Sequence, residues 1–235
     1  MRRAAILMVP MILAAPVSAQ TFSLPQGCEG VATVQKRECL VSHLFTCEAD
    51  GPGTLRRVDL GEEGMTHASL IDAETRWIES FSPATGATDT LVEPEADPAS
   101  FTELTATGRD TWDFEIWSSD GYSVRYVGYD RLTGETMVLD GVTLEQTEFE
   151  MRALGQDGAE FYSVTGNEWI VRDWRSFVSG ITETTLPDET YTTDRTPVAI
   201  FGPGDAGFLT AEPTQDCAVM MSGLPAVERV SRVAR

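Results

Sequence analysis

TWDFEIWSSDGYSVRYVGYDRLTGETMVLD, residues 111–140, is the most legible stretch of the chain. In its first seven residues Trp112, Phe114 and Ile116 alternate with Thr111, Asp113 and Glu115, the period of two that marks a half-buried strand. Ser119, Asp120 and Gly121 then suit a three-residue hairpin loop, with glycine where a positive φ closes the bulge. Setting Ser118 opposite Tyr122 places Ile116 against Val124 and Phe114 against Tyr126, and Glu115 meets Arg125 on the other face. A slip of one residue would turn every apolar side chain the wrong way, so this register is well determined. A second turn is expected at Arg131, Leu132, Thr133 and Gly134, with Asp130 opposite Glu135. It would set Leu139 beside Tyr126 and Asp140 beside Arg125, leaving that arginine between two carboxylates.

The remainder repeats this grammar. Short strands are expected at 55–60, 65–71, 76–82, 87–92, 101–107, 160–165, 168–174, 177–185 and 198–201, and at 207–210. Residues 142–154 form a longer strand whose apolar phase shifts between Leu144 and Phe149, as a bulge requires. Gly166-Asn167 is read as a two-residue hairpin turn pairing Val164 with Trp169 and Tyr162 with Val171. Residues 21–37 are taken as an irregular lead-in with one helical turn, 93–98 as a solvated acidic loop, 186–196 as polar loop, and the basic end, 227–235, as a frayed tail. The sum is an all-β antiparallel meander of about a dozen strands, a barrel or half-open barrel, with a two-sheet sandwich as the alternative.

Residues 1–19 carry Arg2 and Arg3, an apolar run and a Val17-Ser18-Ala19 ending, the pattern of a secretory signal peptide. The run is too short to span a bilayer, which predicts an exported protein, periplasmic or secreted, without membrane insertion. Residues 20–235 show no linker-like shift in composition and are read as one domain. The chain has 37 Asp+Glu against 17 Lys+Arg, and cleavage would remove two arginines and no acid. So acidic a surface excludes nucleic acid as a natural partner. Cys28, Cys39, Cys47 and Cys217 are an even set in a chain bound for an oxidising compartment, so two disulfides are expected, with Cys28–Cys39 and Cys47–Cys217 favoured.

Residues 38–48 fit two patterns: a strand with Val41, His43, Phe45 and Cys47 on one face, or a helix lining up Cys39, His43 and Cys47 like metal ligands. The compact Cys-x2-Cys knuckle of a zinc site is absent, and no other motif asks for a metal or cofactor. The chain has no GxSxG elbow, no HExxH and no phosphate-binding glycine loop, and His43 and His67 are its only histidines. Asp113 and Glu115 beside Trp112 and Trp117 suggest a glycosidase pair, but on a strand they share the face of Arg125 and are better read as ion-paired surface. No residue is therefore assigned a catalytic role. The row Trp112, Phe114, Tyr126, Tyr162 and Trp169 either fills a core or lines a cavity. The functional expectation is a non-enzymatic binding protein for an apolar small molecule or lipid, or for an envelope protein. A hydrolase whose site assembles from dispersed residues is the runner-up.

Overall fold

The computed structural model describes residues 20–217. The expected leader and basic tail lie outside them.

The central hairpin forms in the register that alternation predicts. Arg109–Ser118 (β7) pairs with Tyr122–Leu139 (β8), setting Ser118 opposite Tyr122, Ile116 opposite Val124, Phe114 opposite Tyr126 and Glu115 opposite Arg125. Trp112, Phe114 and Ile116 are buried, and each apolar side chain so removed from water contributes about 1.5–3 kcal/mol.

The second turn does not form. β8 continues to Leu139 and turns at Asp140-Gly141, where both residues have positive φ (49° and 84°), before Val142–Leu154 (β9) returns. Asp-Gly at the centre of a two-residue hairpin has the twist that flanking strands want, and here it prevails over the Thr-Gly turn upstream. Residues 133–135 are left as a bulge opposite Gln146. The phase shift expected near Leu144 is thus real, but the extra residues lie on β8. Arg125 consequently faces Leu154 instead of Asp140, and it pairs with Asp113, Nε to Oδ1 at 2.6 Å. Asp140 accepts the Ile200 N–H at 2.8 Å.

Gly166-Asn167 is not a turn either. Glu160–Val171 (β10) runs straight through it, and Ser176–Thr185 (β11) bulges at Gly180-Ile181 on the opposite side. A Cβ at Gly166 would overlap the Ile181 carbonyl oxygen and lie 2.8 Å from Thr182 Cα, so glycine is present for close backbone approach. Phe101–Thr107 is a helix (α1) rather than a strand. Ser100 Oγ accepts the Glu103 N–H at 3.1 Å in the Ser-x-x-Glu arrangement of a capping box, and Gly108, in the left-handed conformation, closes the far end. So short a helix depends on packing, and Phe101 and Leu104 bury against Ile170, Leu132 and Phe177.

The lead-in is mostly strand, Cys28–Lys36 (β1), and the competing patterns at 38–48 resolve as strand Leu40–Cys47 (β2). Leu55–Gly61 (β3), Gly64–Ile71 (β4), Trp77–Ser82 (β5) and Ala87–Asp97 (β6) follow as a meander, with β6 extending through the expected acidic loop. Thr190–Asp194 (β12) forms where a polar loop was expected, and Pro197–Phe201 (β13) follows it. Residues 207–210 supply only a bridge from Thr210 to Thr21.

All 13 strands make one antiparallel sheet in which sequence neighbours pair, except that β13 returns to β1. Only Arg195 and Thr196 separate β12, paired with β11, from β13, so one extended segment joins the two ends of the sheet. The join is made by single bonds and not by a ladder: Arg195 N–H to Gly180 O at 2.9 Å and Arg37 N–H to Thr196 O at 3.1 Å. The sheet is not closed, but it curls until its halves share a core, Val34, Leu44 and Ile200 meeting Leu144, Val171 and Val178.

Outside β2 and β3, Val41, Phe45, Val58 and Leu60 are covered by Phe22, Leu24 and Ala211 from the two ends of the described chain. The disulfides follow from this geometry and differ from the favoured pairing. Cys28 and Cys47 are cross-strand partners in the β1–β2 hairpin, while Cys39 lies in its turn and bonds Cys217. The second bridge closes a separation of 178 residues. Replacing Cys39 and Cys217 by alanine is expected to cost about 3–5 kcal/mol and lower the melting temperature by about 10 °C. A melting curve unchanged by the double substitution would show that the C-terminal segment does not brace the sheet.

Candidate functional site

Strand alternation together with the curl turns one set of side chains inward, around a cavity of about 360 Å³, within the range of small-molecule sites. Its apolar wall is a chain of rings. Phe114 lies 5.3 Å from Trp77, 5.5 Å from Trp112 and 5.6 Å from Tyr126, centroid to centroid, and Trp77 lies 5.5 Å from Tyr126. Tilted and edge-to-face contacts of this kind suit aromatic quadrupoles. Trp112 is opposite Gly128 in register, and a Cβ at Gly128 would come within 2.5 Å of the indole. The missing side chain leaves the space that the ring occupies. Trp77 is 44% exposed, the most accessible large apolar side chain on the wall.

Of the expected aromatic row, Trp112, Phe114 and Tyr126 line the cavity. Tyr162 is linked to it through its hydroxyl, 3.2 Å from that of Tyr126. Trp169 is not brought to the wall. Because β10 has no turn at Gly166-Asn167, its alternation gives Val164 and Glu168 to the cavity and packs Trp169 against the shared core.

Sequence reasoning missed the polar part of the lining. Glu168 presents its carboxyl to the cavity with no hydrogen bond from any described side chain, and desolvation, reinforced by Asp130, pushes it up to about 7 against the pull of Arg57 and Lys36. Asp130, expected at a solvated turn, accepts the Trp112 Nε1–H at 2.9 Å, and burial raises it to about 6. Glu95, expected in a solvated loop, has a side chain only 4% exposed and pairs with Arg76 at 3.1 Å, leaving its buried Oε1 unpartnered. Arg76 also holds Asp72 and Glu93. Glu79, Asp89, Arg57 and His67 also line the cavity. Deeper in, Asp59 accepts the Ser42 hydroxyl at 2.5 Å and faces Lys36 and Arg57, each at 3.4 Å. Burial works against ionisation of Asp59, yet Arg57, Lys36 and Ser42 together hold it well below the usual carboxylate range.

The histidines divide. His43 lies away from the cavity, stacked on Phe22 at 4.3 Å with Nδ1 3.2 Å from Thr33 Oγ1, and desolvation lowers it to about 4. His67 lines the cavity near Asp89, lowered first by burial and then by Arg57, and none of the side-chain hydrogen bonds of the described residues joins it to a hydroxyl or a carboxylate. The sulfurs of the metal-like row are taken up in disulfides: Cys39 with Cys217, Cys47 with Cys28. Asp113 of the glycosidase-like pair is held by Arg125, as an ion-paired outer face requires.

The arrangement is therefore an aromatic-walled cavity with a carboxyl-rich pole, in which burial lowers His67 while Asp59 and Asp89 act to raise it. Comparison with protein-family models, curated proteins and solved structures found no match to this chain.

Proposed function

We propose that this chain is an exported, non-catalytic binding protein that takes an apolar small molecule or the acyl part of a lipid into its curled sheet. The observation that carries this reading is the wall of Trp77, Trp112, Phe114 and Tyr126 facing about 360 Å³ of open volume. Rings that only filled a core would close on one another, because protein interiors pack to crystal-like density. The leader-like residues 1–19 and the two intramolecular disulfides support export to an oxidising compartment.

Purified without detergent, the protein is expected to carry added mass in native mass spectrometry that is lost on denaturation and recovered in an organic extract, or to bind the uncharged fluorophore N-phenylnaphthylamine when empty. Trp77→Ala should weaken that binding about tenfold, since a partly exposed ring can be truncated at little cost to folding and each 1.4 kcal/mol of lost contact is a factor of ten. A bare mass together with no uptake of the fluorophore would reject the reading.

A further inference from the structure

The apolar wall says that the ligand has a greasy part, and the charges around it say what else the ligand carries. Five carboxyls line the cavity: Glu79, Asp89, Glu95, Asp130 and Glu168. Of these five only Glu95 makes an ion pair with a described residue, Arg76. The cations nearby each face an acid. Arg76 is shared by Asp72, Glu93 and Glu95, while Arg57 and Lys36 both face Asp59. Arg57, itself in the lining, makes no side-chain hydrogen bond among the described residues and stands 3.4 Å from Asp59, one cation against four wall carboxyls that have no cation of a described residue within 4 Å. Glu168 is the decisive group. It lines the cavity half-buried, desolvated enough to raise its carboxyl, and accepts no hydrogen bond from any described residue. An ionisable group held in that way costs folding free energy unless something arrives to pair with it. Asp130 adds geometry, because the Trp112 indole that forms the wall donates to its carboxylate at 2.9 Å. The acidic pole and the aromatic wall therefore meet at the indole's N–H edge, and carboxylates at the rim of an aromatic wall are the chemistry that recognises an organic ammonium ion.

Resting on the reading of the cavity as a ligand site, we infer that it selects a cationic amphiphile, with an amine or quaternary ammonium held by Asp130 and Glu168 beside Trp112 and an apolar body along Phe114, Tyr126 and Trp77. The large excess of acidic over basic residues in the whole chain would draw such a ligand in from solution. Asp110 is opposite Asp130 in register, Arg57 and Lys36 act on Glu168, and His67, Glu79, Asp89 and Glu95 share the cavity lining with both. With burial holding Asp130 near 6 and Glu168 near 7, a fixed positive charge bound beside them displaces protons, so its affinity rises with pH.

The test is calorimetric titration of the delipidated protein with three ligands of one chain length, each below its micelle concentration: decyltrimethylammonium, decanol and decanoate. At pH 8 the ammonium compound is expected to bind at least tenfold more tightly than the other two. That advantage should shrink about tenfold at pH 5, where the quaternary charge is unchanged and the carboxyls are protonated. Glu168→Gln and Asp130→Asn should remove it while retaining decanol binding, which also shows that the variants are folded. The pH series on the unaltered protein stands without them. If the three ligands bind alike, or decanoate binds best, the inferred preference for a cation is overturned and the cavity remains a site for apolar molecules. If none binds, both readings fall.

Discussion

Gly128→Val is expected to prevent the sheet from folding. The residue lies in the middle of the sheet, opposite Trp112 on β7 and Met151 on β9. Its φ is not in the left-handed region, so glycine is not required there by backbone conformation. Space is the reason. A Cβ would overlap the Glu150 carbonyl oxygen and come within 2.5 Å and 2.7 Å of two atoms of the Trp112 ring. Relief would need the indole to leave the wall, breaking its bond to Asp130, or the β8–β9 ladder to part. Either costs more than about 4 kcal/mol, a large share of the 5–15 kcal/mol that holds a domain together. The observable is loss of soluble protein, or of the near-ultraviolet dichroism of its tryptophans. Gly121→Ala is the control: it sits in the β7–β8 hairpin loop at φ 92° with open space around it, and should cost only about 1 kcal/mol. Equal effects at the two positions would mean that Trp112 does not lie over Gly128.

Glu168→Gln is expected to stabilise the protein at pH 8 and to do nothing at pH 4. The glutamate carboxyl is raised in the folded state from 4.5 to about 7, so between those values the folded chain binds the proton more tightly than the unfolded one. Stability from this group is therefore present at low pH and lost as pH rises towards 7. Glutamine keeps the shape without the charge. At pH 8 the gain should be about 2–3 kcal/mol, or about 5–10 °C in melting temperature. Asp130, near 6, and Asp110, near 7 through burial, have the same sign. His43, lowered to about 4 by burial, has the opposite sign, because the unfolded chain takes up its proton first as pH falls below about 6.5. The unaltered, empty protein should thus be most stable near pH 5 and weaken towards pH 8. A melting temperature that rises steadily over that interval, with no benefit from glutamine, would place the Glu168 carboxyl in water. A residue whose charge destabilises the fold at neutral pH and faces a cavity is what a binding site looks like from the side of stability.

The shared buried face of Trp112, Phe114 and Tyr126 was legible in the sequence; that it lines a cavity with Trp77, and that the cavity has an acidic pole, was not. Trp112, Phe114 and Tyr126 announce a buried face because apolar residues in alternation have only one good side to point to. Asp130 and Glu168 carry no such mark. A carboxylate on a strand is ordinarily on the wet face, and only the curl of the sheet puts that part of the face inside. Glu168 was within reach of alternation from Tyr162 through Val164, but only if Gly166-Asn167 is strand interior. The α1 helix did have its signal, Ser100, Glu103 and Gly108 at cap spacing, set against a Phe101-to-Leu104 pattern too short to separate helix from strand.

What the sequence determined by itself was local: the meander, the period-two faces, and the register of the β7–β8 hairpin, whose turn and paired residues are close along the chain. What tertiary structure decided was non-local. Gly134 and Gly166 have the chemistry of turns, yet each becomes part of a long strand because a partner strand is available to pair with it. Cys39 finds Cys217 across 178 residues only once the C-terminal segment has been laid over β2 and β3. Asp130 meets Trp112 within the β7–β8 hairpin, but Glu168, two strands further on, joins the same cavity only as the sheet curls around its common core. Each outcome is set by competition among pairings whose loops differ greatly in length, and local propensity does not encode that competition.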